Sequence, residues 1–481
     1  MRYRSLKISA FLNSLKQIMT ALFPLITIPY VTRILGTDVY GRVNFSSSIV
    51  SYFLLFAGLG ISFYCTREGS MLRENPVQFR RFASQMFSLN ILTATGAFIL
   101  LFLTVVIIPG LHPYWLLILI QSLQIVSNTL GLDWVNTCYE DFLYITVRYL
   151  IFQTIALICM FLFVKSPDDY LIYAFLSILS TFGGELSNVV YIRRYVKVYF
   201  TIHIDLKKHI KSILLLFGNN LANIVYVSSA TTLVGIMLSD AAVGIYSIPL
   251  KIYSLVKGVL SAVILVAVPR VSSLLSEGKR DNAFRILDGT FSSLLVFVLP
   301  STVGLFMLSD ELIILLAGGD FKDGGALLKV FSFALLISDL SCFLANNVLI
   351  PFKREDILLK STIAAGVSSV VANIMLIHFF GLIGSSYAIL ISEFVMLVYC
   401  GMHSLDYYCP HIDYREVLDF LFGSLLVGVY CSIIRFLISD YIYILIFSIV
   451  PSFFIYIIFL IARKNNTIYS LLRPVMDRIR H

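Results

Sequence analysis

The sequence predicts an all-α integral membrane protein with about 14 transmembrane helices. Three observations predict this class: an apolar composition, a series of apolar windows of bilayer-spanning length, and an internal repeat. Of the 481 residues, 58% are hydrophobic and 13% are charged, and the mean hydropathy is +0.89. Soluble proteins carry roughly 25% charged residues, so water is not the solvent for most of this surface. The composition excludes a large soluble enzyme, a disordered chain and a disulfide-framed secreted protein.

The apolar windows are bounded by charged residues or by Gly, Pro and Asp clusters. Each is close to the roughly 20 residues that a helix needs to cross a bilayer. The windows do not alternate as barrel strands would, so helices are the predicted spanning element. The first window continues past Pro24 without a small-residue cleavage site, which predicts a retained span rather than a signal peptide. The predicted spans are 9–33, 43–64, 83–108, 115–134, 143–164, 170–192, 212–238, 244–268, 286–308, 326–349, 357–380, 382–404, 417–438 and 441–462.

Basic residues are distributed very unevenly between alternate loops. With the N-terminus inside, 27 of the 36 Lys and Arg residues fall in inner loops or termini. The outer loops hold only Arg33, Arg42, Lys165 and Lys322. Because cytoplasmic loops are enriched in Lys and Arg, the sequence predicts an even number of spans with both termini in the cytoplasm.

Eight residues recur at an offset of 203 positions, and this offset contains six predicted spans. Parallel repeats of this kind, related by an axis along the membrane normal, are a transporter architecture. We therefore predict an N-terminal lobe at 1–200 and a C-terminal lobe at 201–406, related by a pseudo-two-fold axis along the membrane normal. Residues 407–481 would add two helices and a basic cytoplasmic tail. The two sets are Leu35, Gly41, Ile49, Ser51, Arg67, Ser70, Leu72 and Glu74, and Leu238, Gly244, Ile252, Ser254, Arg270, Ser273, Leu275 and Glu277.

No catalytic constellation is present in the sequence. It has no G-x-x-x-x-G-K-[ST] loop, no H-E-x-x-H and no G-x-S-x-G, so we predict no catalytic residue, no metal site and no cofactor. The seven Cys lack C-x-x-C spacing and are predicted to be small buried hydrophobes. The net charge of +8 resides mainly in short loops between apolar windows, so no nucleic-acid partner is predicted.

Several stretches resemble a known transporter family. They are 24–36 (PLITIPYVTRILG), 50–62 (VSYFLLFAGLGIS), 66–68 (TRE), 132–134 (LDW), 139–142 (YEDF) and 144–148 (YITVR). These stretches are similar to the Wzx-type polysaccharide flippases, the O-antigen and capsule exporters of the superfamily that includes the MATE drug antiporters.

The resemblance implies that the protein moves an undecaprenyl-diphosphate-linked oligosaccharide from the inner to the outer leaflet of a bacterial inner membrane. Alternating access through a central cationic cavity would carry the sugar head. The implied partners are this lipid-linked substrate, membrane lipids, and the polymerase and chain-length regulator of the same pathway. A proton or a sodium ion is a candidate coupling ion, and the sequence does not decide whether transport is coupled.

Ionisable residues inside predicted spans are the candidate functional groups, because each is costly there without a partner, water or substrate. They are Lys16, Asp133, Glu185, Lys251, Lys257, Lys329, Asp339, Glu393 and Arg435. We expect basic and amide side chains to line the substrate cavity, because a diphosphate needs cations. This candidate set is Lys16, Gln17, Asn219, Asn220, Asn223, Lys251 and Lys257.

The remaining candidates have two interpretations each. Asp339 and Glu393 could balance Lys251 or Lys257, or one of them could carry the coupling proton. For Asp133, Glu185, Lys329 and Arg435 an interfacial position is favoured.

Four basic residues are candidates for an exit or a gate. Arg33 and Arg42 would guide an anionic headgroup at an outer loop or bind loop carbonyls, and Arg67 and Arg270 would fix span ends or act as a gate.

Two rival functions remain open at this point. A MATE-type cation-coupled antiporter would favour acidic cavity residues, whereas the deep candidates here include three lysines. A membrane polysaccharide polymerase or glycosyltransferase would need large catalytic loops, and the longest inner loop predicted here, about 193–211, is short and basic.

Overall fold

A computed structural model of the protein describes residues 6–411 and 413–471, apart from some side chains near the starts of the first and eighth helices. The described chain forms 17 α-helices, connected by turns, short 3-10 or π-helical pieces and one longer irregular segment at 195–205, and no strand occurs within those ranges. The helices are α1 (Leu6–Gly58), α2 (Ile61–Leu72), α3 (Pro76–Ile107), α4 (Trp115–Gly131), α5 (Asp133–Cys138), α6 (Phe142–Phe163), α7 (Tyr170–Tyr191), α8 (Leu206–Met237), α9 (Asp240–Leu265), α10 (Val268–Ser276), α11 (Arg280–Met307), α12 (Ser309–Ala317), α13 (Gly324–Phe343), α14 (Glu355–Phe380), α15 (Leu382–Ser404), α16 (Tyr414–Leu437) and α17 (Tyr441–Ala462).

Within the described ranges, 12 helices or helical runs are long and apolar enough to cross a membrane. The predicted all-α, multi-pass membrane fold is confirmed, but the predicted count of 14 is not. Predicted spans 9–33 and 43–64 share one run, Leu22–Leu72. The predicted span 115–134 corresponds to α4, whose 17 residues reach only about 26 Å, less than the roughly 30 Å hydrocarbon core.

Between the first two predicted spans the structure has no extended loop: two helices, both within α1, meet at Gly36, and Arg33 and Arg42 lie on either side of it. Helix α1 continues through this region and is kinked at Gly36, whose φ of 71° and ψ of −179° are not helical. Glycine adopts this conformation readily because it has no Cβ. A single residue therefore makes the bend, and both arginines lie on helical turns beside it.

The chain divides into two compact units, one up to Gly244 and one from Ile245 onward. The boundary falls inside α9 rather than in a linker. The lobe limits at 200 and 406 stay a prediction.

In the first unit, α1 packs against α3, α4, α6 and α8, and α7 packs against α4 and α6. A buried cluster joins α2, α3, α5 and α8, and its largest side chains include Tyr64, Phe79, Phe82 and Trp134. Tyr64 OH lies 2.6 Å from His209 Nδ1, which fixes the start of α8 to α2. The end of the first unit that holds α2, α5 and the start of α8 is therefore well packed.

Two repeat glycines, Gly41 on α1 and Gly244 on α9, allow a close helix crossing. A Cβ on Gly41 would collide with the carbonyl oxygen of Asp240, and a Cβ on Gly244 would collide with the carbonyl oxygen of Thr37. Because both obstacles are backbone atoms, neither helix can make room without moving.

We expect Gly244→Ala to destabilise the protein by about 1–3 kcal/mol, the usual cost of overpacking. The matched control is Gly258→Ala on the same helix, where an added Cβ meets no atom within 4 Å. Alanine there should stabilise the helix by up to about 1 kcal/mol. Melting temperatures of the purified proteins in detergent test the pair, and equal temperatures would contradict the crossing.

In the second unit, α13 packs against α11 and α15, α14 packs against α15, and α16 packs against α11 and α17. Helix α13 is the most enclosed of the candidate spans, with 56% of its most apolar window buried. Because α13 is central in this unit, several polar side chains on it are buried.

Candidate functional site

The deepest charges of the second unit form a cluster on α9, α13 and α15. Tyr253, Lys257 and Ser261 follow one another at intervals of four on α9, and residues spaced this way share a helix face. Lys257 Nζ lies 2.9 Å from Glu393 Oε1 on α15. Tyr253 OH donates to the same oxygen at 2.6 Å. The Glu393 side chain is only 1% exposed, so this is a buried, charge-assisted contact.

Asp339 on α13 is the second carboxylate of this cluster and is fully buried. Ser261 Oγ donates to its Oδ1 at 3.4 Å, while no described residue pairs with Oδ2. The cluster therefore contains two buried carboxyl groups, Asp339 and Glu393, and the ammonium group of Lys257. The role of either carboxyl group as the carrier of a coupling proton stays a prediction.

The predicted ion pairing of Lys257 is thus what the structure contains, whereas the prediction that it lines a substrate cavity stays untested. Its side chain is 29% exposed, so one side of the pair is accessible. Lys251, two turns earlier on α9, is half-buried.

The polar stripe predicted for the first and seventh spans is only partly described. Lys16 Nζ lies 5.6 Å from the centre of the Tyr149 ring, and Asn220 is half-buried. The side chains of Gln17, Asn219 and Asn223 lie outside the described residues. The shared cavity for these groups therefore stays a prediction.

A buried ionic network in the first unit was not anticipated. Arg148 on α6 donates to Asp133 on α5 and lies 3.4 Å from Glu185 Oε1 on α7. Its side chain is 7% exposed. The sequence assigned Arg148 to an inner loop and favoured interfacial positions for both carboxylates. The structure places all three side chains in one network, and their depth in the membrane stays a prediction. The sequence signal that could have revealed this network was Arg148 itself, which lies five residues inside the predicted span 143–164.

Amide groups complete this network. Asn188 donates to the carbonyl oxygen of Gly131 and to Asp133 Oδ1 at 3.1 Å, and it accepts from Asn136 at 2.7 Å. Glu185 packs directly over Gly131, where a Cβ would collide with the carboxylate. The ends of α4, α5 and α7 are therefore tied together around Arg148.

A third network connects α12, α13 and α16 in the second unit. Asp310 lies 2.7 Å from Lys329 Nζ and 3.4 Å from Arg435 Nη2. Arg435 Nε also pairs with Glu311 at 2.8 Å. Lys329 and Arg435 are therefore partnered within the protein, rather than being bare interfacial charges.

The candidate exit and gate residues make local contacts. Arg33 Nη1 donates to the carbonyl oxygen of Pro29 at 2.6 Å, and Arg42 pairs with Asp240 at 3.1 Å. Tyr114 OH donates to the other Asp240 oxygen at 2.6 Å. Burial raises the pKa of Tyr114, and the hydrogen bond to Asp240 raises it further.

The repeated inner charges make local ion pairs. Arg67 binds its neighbour Glu68 at 3.1 Å, and Glu277 binds Lys279 at 2.7 Å. Arg270 is exposed. The gate role of Arg67 and Arg270 stays a prediction.

A large apolar cavity lies in the second unit among α9, α11, α16 and α17. Its volume is about 620 Å³, and its wall includes Val256, Val296, Phe297, Pro300 and Phe453. Val256 adjoins Lys257 on α9, so apolar and cationic groups occur within one helix turn. A hydrocarbon chain would fit such a wall because it needs no hydrogen bonds.

Span-length helices enclosing clusters of buried charge define a multi-pass membrane protein of the transporter class. The chain belongs to the polysaccharide biosynthesis protein family, whose model matches residues 6–275. The resemblance to Wzx-type flippases is thereby confirmed, as is the prediction of a transporter rather than an enzyme.

Individual relatives agree with this family. The "Putative O-antigen transporter" of Shigella dysenteriae is 24% identical over 386 residues, covering 79% of this chain and 94% of the relative. The fold is similar to that of the lipid II flippase MurJ in an inward closed conformation, with a TM-score of 0.76, 17% identity, and coverage of 97% and 100%. An inward-facing MATE multidrug transporter of the MOP superfamily has a TM-score of 0.53, 12% identity, and coverage of 80% and 97%.

Proposed function

We propose that the protein is a flippase for undecaprenyl-diphosphate-linked oligosaccharide repeat units. The observation that carries the proposal is the family match over residues 6–275, supported by the relative named as an O-antigen transporter. Such a substrate combines a long apolar chain, an anionic diphosphate and a sugar head. The protein would move it from the cytoplasmic to the outer leaflet of the inner membrane, with both of its own termini in the cytoplasm.

Two features of the second unit support an amphiphilic substrate. The apolar cavity of about 620 Å³ matches the chemistry of an isoprenoid chain. Lys257, next to Val256 of its wall, offers an ammonium group that is partly accessible. A lysine attracts a phosphate as a compact point charge. Alternating access would then move the headgroup while the chain remains in lipid.

Deletion of the gene should cause lipid-linked repeat units to accumulate on the cytosolic leaflet, with loss of the surface polymer. The repeat units would still be synthesised, but without the flippase they could not leave the cytosolic leaflet. Leaflet-specific labelling of the sugar in membrane vesicles would measure the accumulation, and re-expression of the intact chain is the control. Normal surface polymer in the deletion strain would reject the flippase proposal.

A cation-coupled antiporter is the second candidate, because the buried cluster around Lys257 has two carboxylates. This function predicts that the deletion strain becomes sensitive to cationic drugs and keeps its surface polymer. The same strain therefore distinguishes the two functions.

A further inference from the structure

An open basic pocket lies at the start of α3, on the end of the first unit that the sequence predicts to face the cytoplasm. Its volume is about 710 Å³, and its wall includes Arg80, Arg81, Gln85, Tyr199 and His203. None of these residues belongs to the charge clusters described above. The pocket is formed by α3 and by the irregular segment 195–205 that precedes α8.

The irregular segment is held against α3 in a regular register. Arg80 Nε donates to the carbonyl oxygen of Lys197 at 3.2 Å. One helix turn on, Ser84 Oγ accepts from the backbone nitrogen of Tyr199 at 3.3 Å, and Ser88 Oγ accepts from that of Thr201 at 2.8 Å. Four helical residues rise about 6 Å and two extended residues about 6.6 Å, so the spacings match. The pocket wall is therefore preformed.

Gln85 closes the floor of the pocket. Its side-chain nitrogen donates to the carbonyl oxygen of His203 at 3.2 Å and to Asp205 at 3.3 Å, and the residue is only 5% exposed. Asp205 also lies 3.8 Å from Arg81, but both side chains are more than 60% exposed. Solvent weakens an exposed pair of this kind, so the pocket keeps its cationic character.

The two arginines are arranged for a phosphate oxygen. The Arg80 guanidinium stacks 5.3 Å from the centre of the Tyr199 ring, which orients its plane. Among the residues that the structure describes, the Arg80 side chain donates through Nε to Lys197, which leaves its terminal nitrogens for a ligand. The Arg81 side chain is 74% exposed. A planar guanidinium presents two parallel N–H groups, which suits a phosphodiester.

The length of α3 places this pocket at the height of lipid headgroups. The helix has 32 residues, or about 48 Å, whereas the hydrocarbon core is about 30 Å thick. The apolar residues 87–107 suffice to cross that core, so residues 76–86 extend into the interface. Val77 in the pocket wall is 79% exposed. Phe200 and Ile202, which alternate with the wall residues Tyr199, Thr201 and His203 along the segment, are 52% and 84% exposed.

We propose that this pocket binds the headgroup of an anionic phospholipid of the cytoplasmic leaflet. Arg80 and Arg81 would bind the phosphate, Tyr199 would lie at the headgroup level as interfacial tyrosines do, and Val77, Phe200 and Ile202 would contact the first acyl carbons. The exposed apolar side chains of Val77 in the wall, and of Phe200 and Ile202 on the same segment, favour a lipid over a soluble phosphate, because a phosphate ion would leave them uncovered.

The test uses full-length protein in detergent, titrated with short-chain phosphatidylglycerol, with phosphatidylcholine of the same chain length, and with inorganic phosphate. Binding is read from intrinsic fluorescence or thermal shift. Wild type should bind phosphatidylglycerol preferentially. R80Q/R81Q should bind it about thirtyfold more weakly, because each basic residue near an anionic surface contributes about a factor of five.

The control is K360Q/R415Q, which removes the same charge from exposed positions of the second unit and should bind like wild type. R81Q alone provides a second variant if the double variant is unstable, because Arg81 makes only the long contact to Asp205. Unchanged affinity in R80Q/R81Q, or equal effects of inorganic phosphate and phosphatidylglycerol, would overturn the proposal.

Discussion

Lys257→Met should destabilise the protein by about 3–5 kcal/mol, because it removes the ammonium group that is paired with the buried carboxylate of Glu393. The double variant K257M/E393Q should recover most of this loss, since it removes the lysine and one carboxylate charge together. Lys279→Met is the matched control: its ion pair with Glu277 is also short, at 2.7 Å, but its side chain is 57% exposed. Melting temperatures in detergent measure all three.

Surface-polymer export in strains that express these variants distinguishes a structural role of Lys257 from a role in substrate binding. We expect K257M/E393Q to reach the membrane in normal amounts and still fail to export, because the accessible ammonium group is missing. Full export by this double variant would limit Lys257 to its ion pair. A K257M protein as stable as wild type would contradict the buried pair itself.

Arg148→Met should be comparably damaging, at about 3–5 kcal/mol, because Asp133 and Glu185 are both paired with this one buried guanidinium. Arg148→Lys should lie between methionine and wild type, since a lysine keeps the charge but cannot bind two carboxylates as a planar fork. Membrane abundance and detergent melting temperature give the measurement.

Arg67→Met is the control for this series. Arg67 also binds a carboxylate, that of Glu68, but its side chain is 56% exposed. An exposed pair contributes about 0–1 kcal/mol, so this variant should melt close to wild type. If Arg148→Met and Arg67→Met behave alike, the network around Arg148 has no stabilising role.

The hydrophobic windows predicted the helices well because bilayer thickness sets the length of a spanning segment. They did not predict how the first two helices connect, which is through the single non-helical residue Gly36 rather than through an extended loop. They also overstated α4, whose apolar run continues past the point at which the helix ends at Gly131. The length and hydropathy of a window give no information on the backbone dihedral angles at which these helices end.

The candidate sites were likewise predicted only in part from the sequence. The cost of an unpaired charge in lipid correctly drew attention to Lys257 and Glu393, and their pairing was one of two interpretations. The Arg148 network escaped because its members lie on three helices and one of them was counted as a loop residue. Tertiary contacts between distant helices leave no periodic signal in a single sequence.

The continuity of α9 across the unit boundary has a practical consequence for dissecting this protein. A gene divided at residue 244 would give two fragments that each end in an interrupted helical hydrogen-bond ladder. The turn between α10 and α11 is the better point for co-expressed halves or an inserted fluorescent reporter. Gly278 there has a φ of 77°, and both of its neighbours are exposed to solvent. An insertion at that turn would leave every long helix whole.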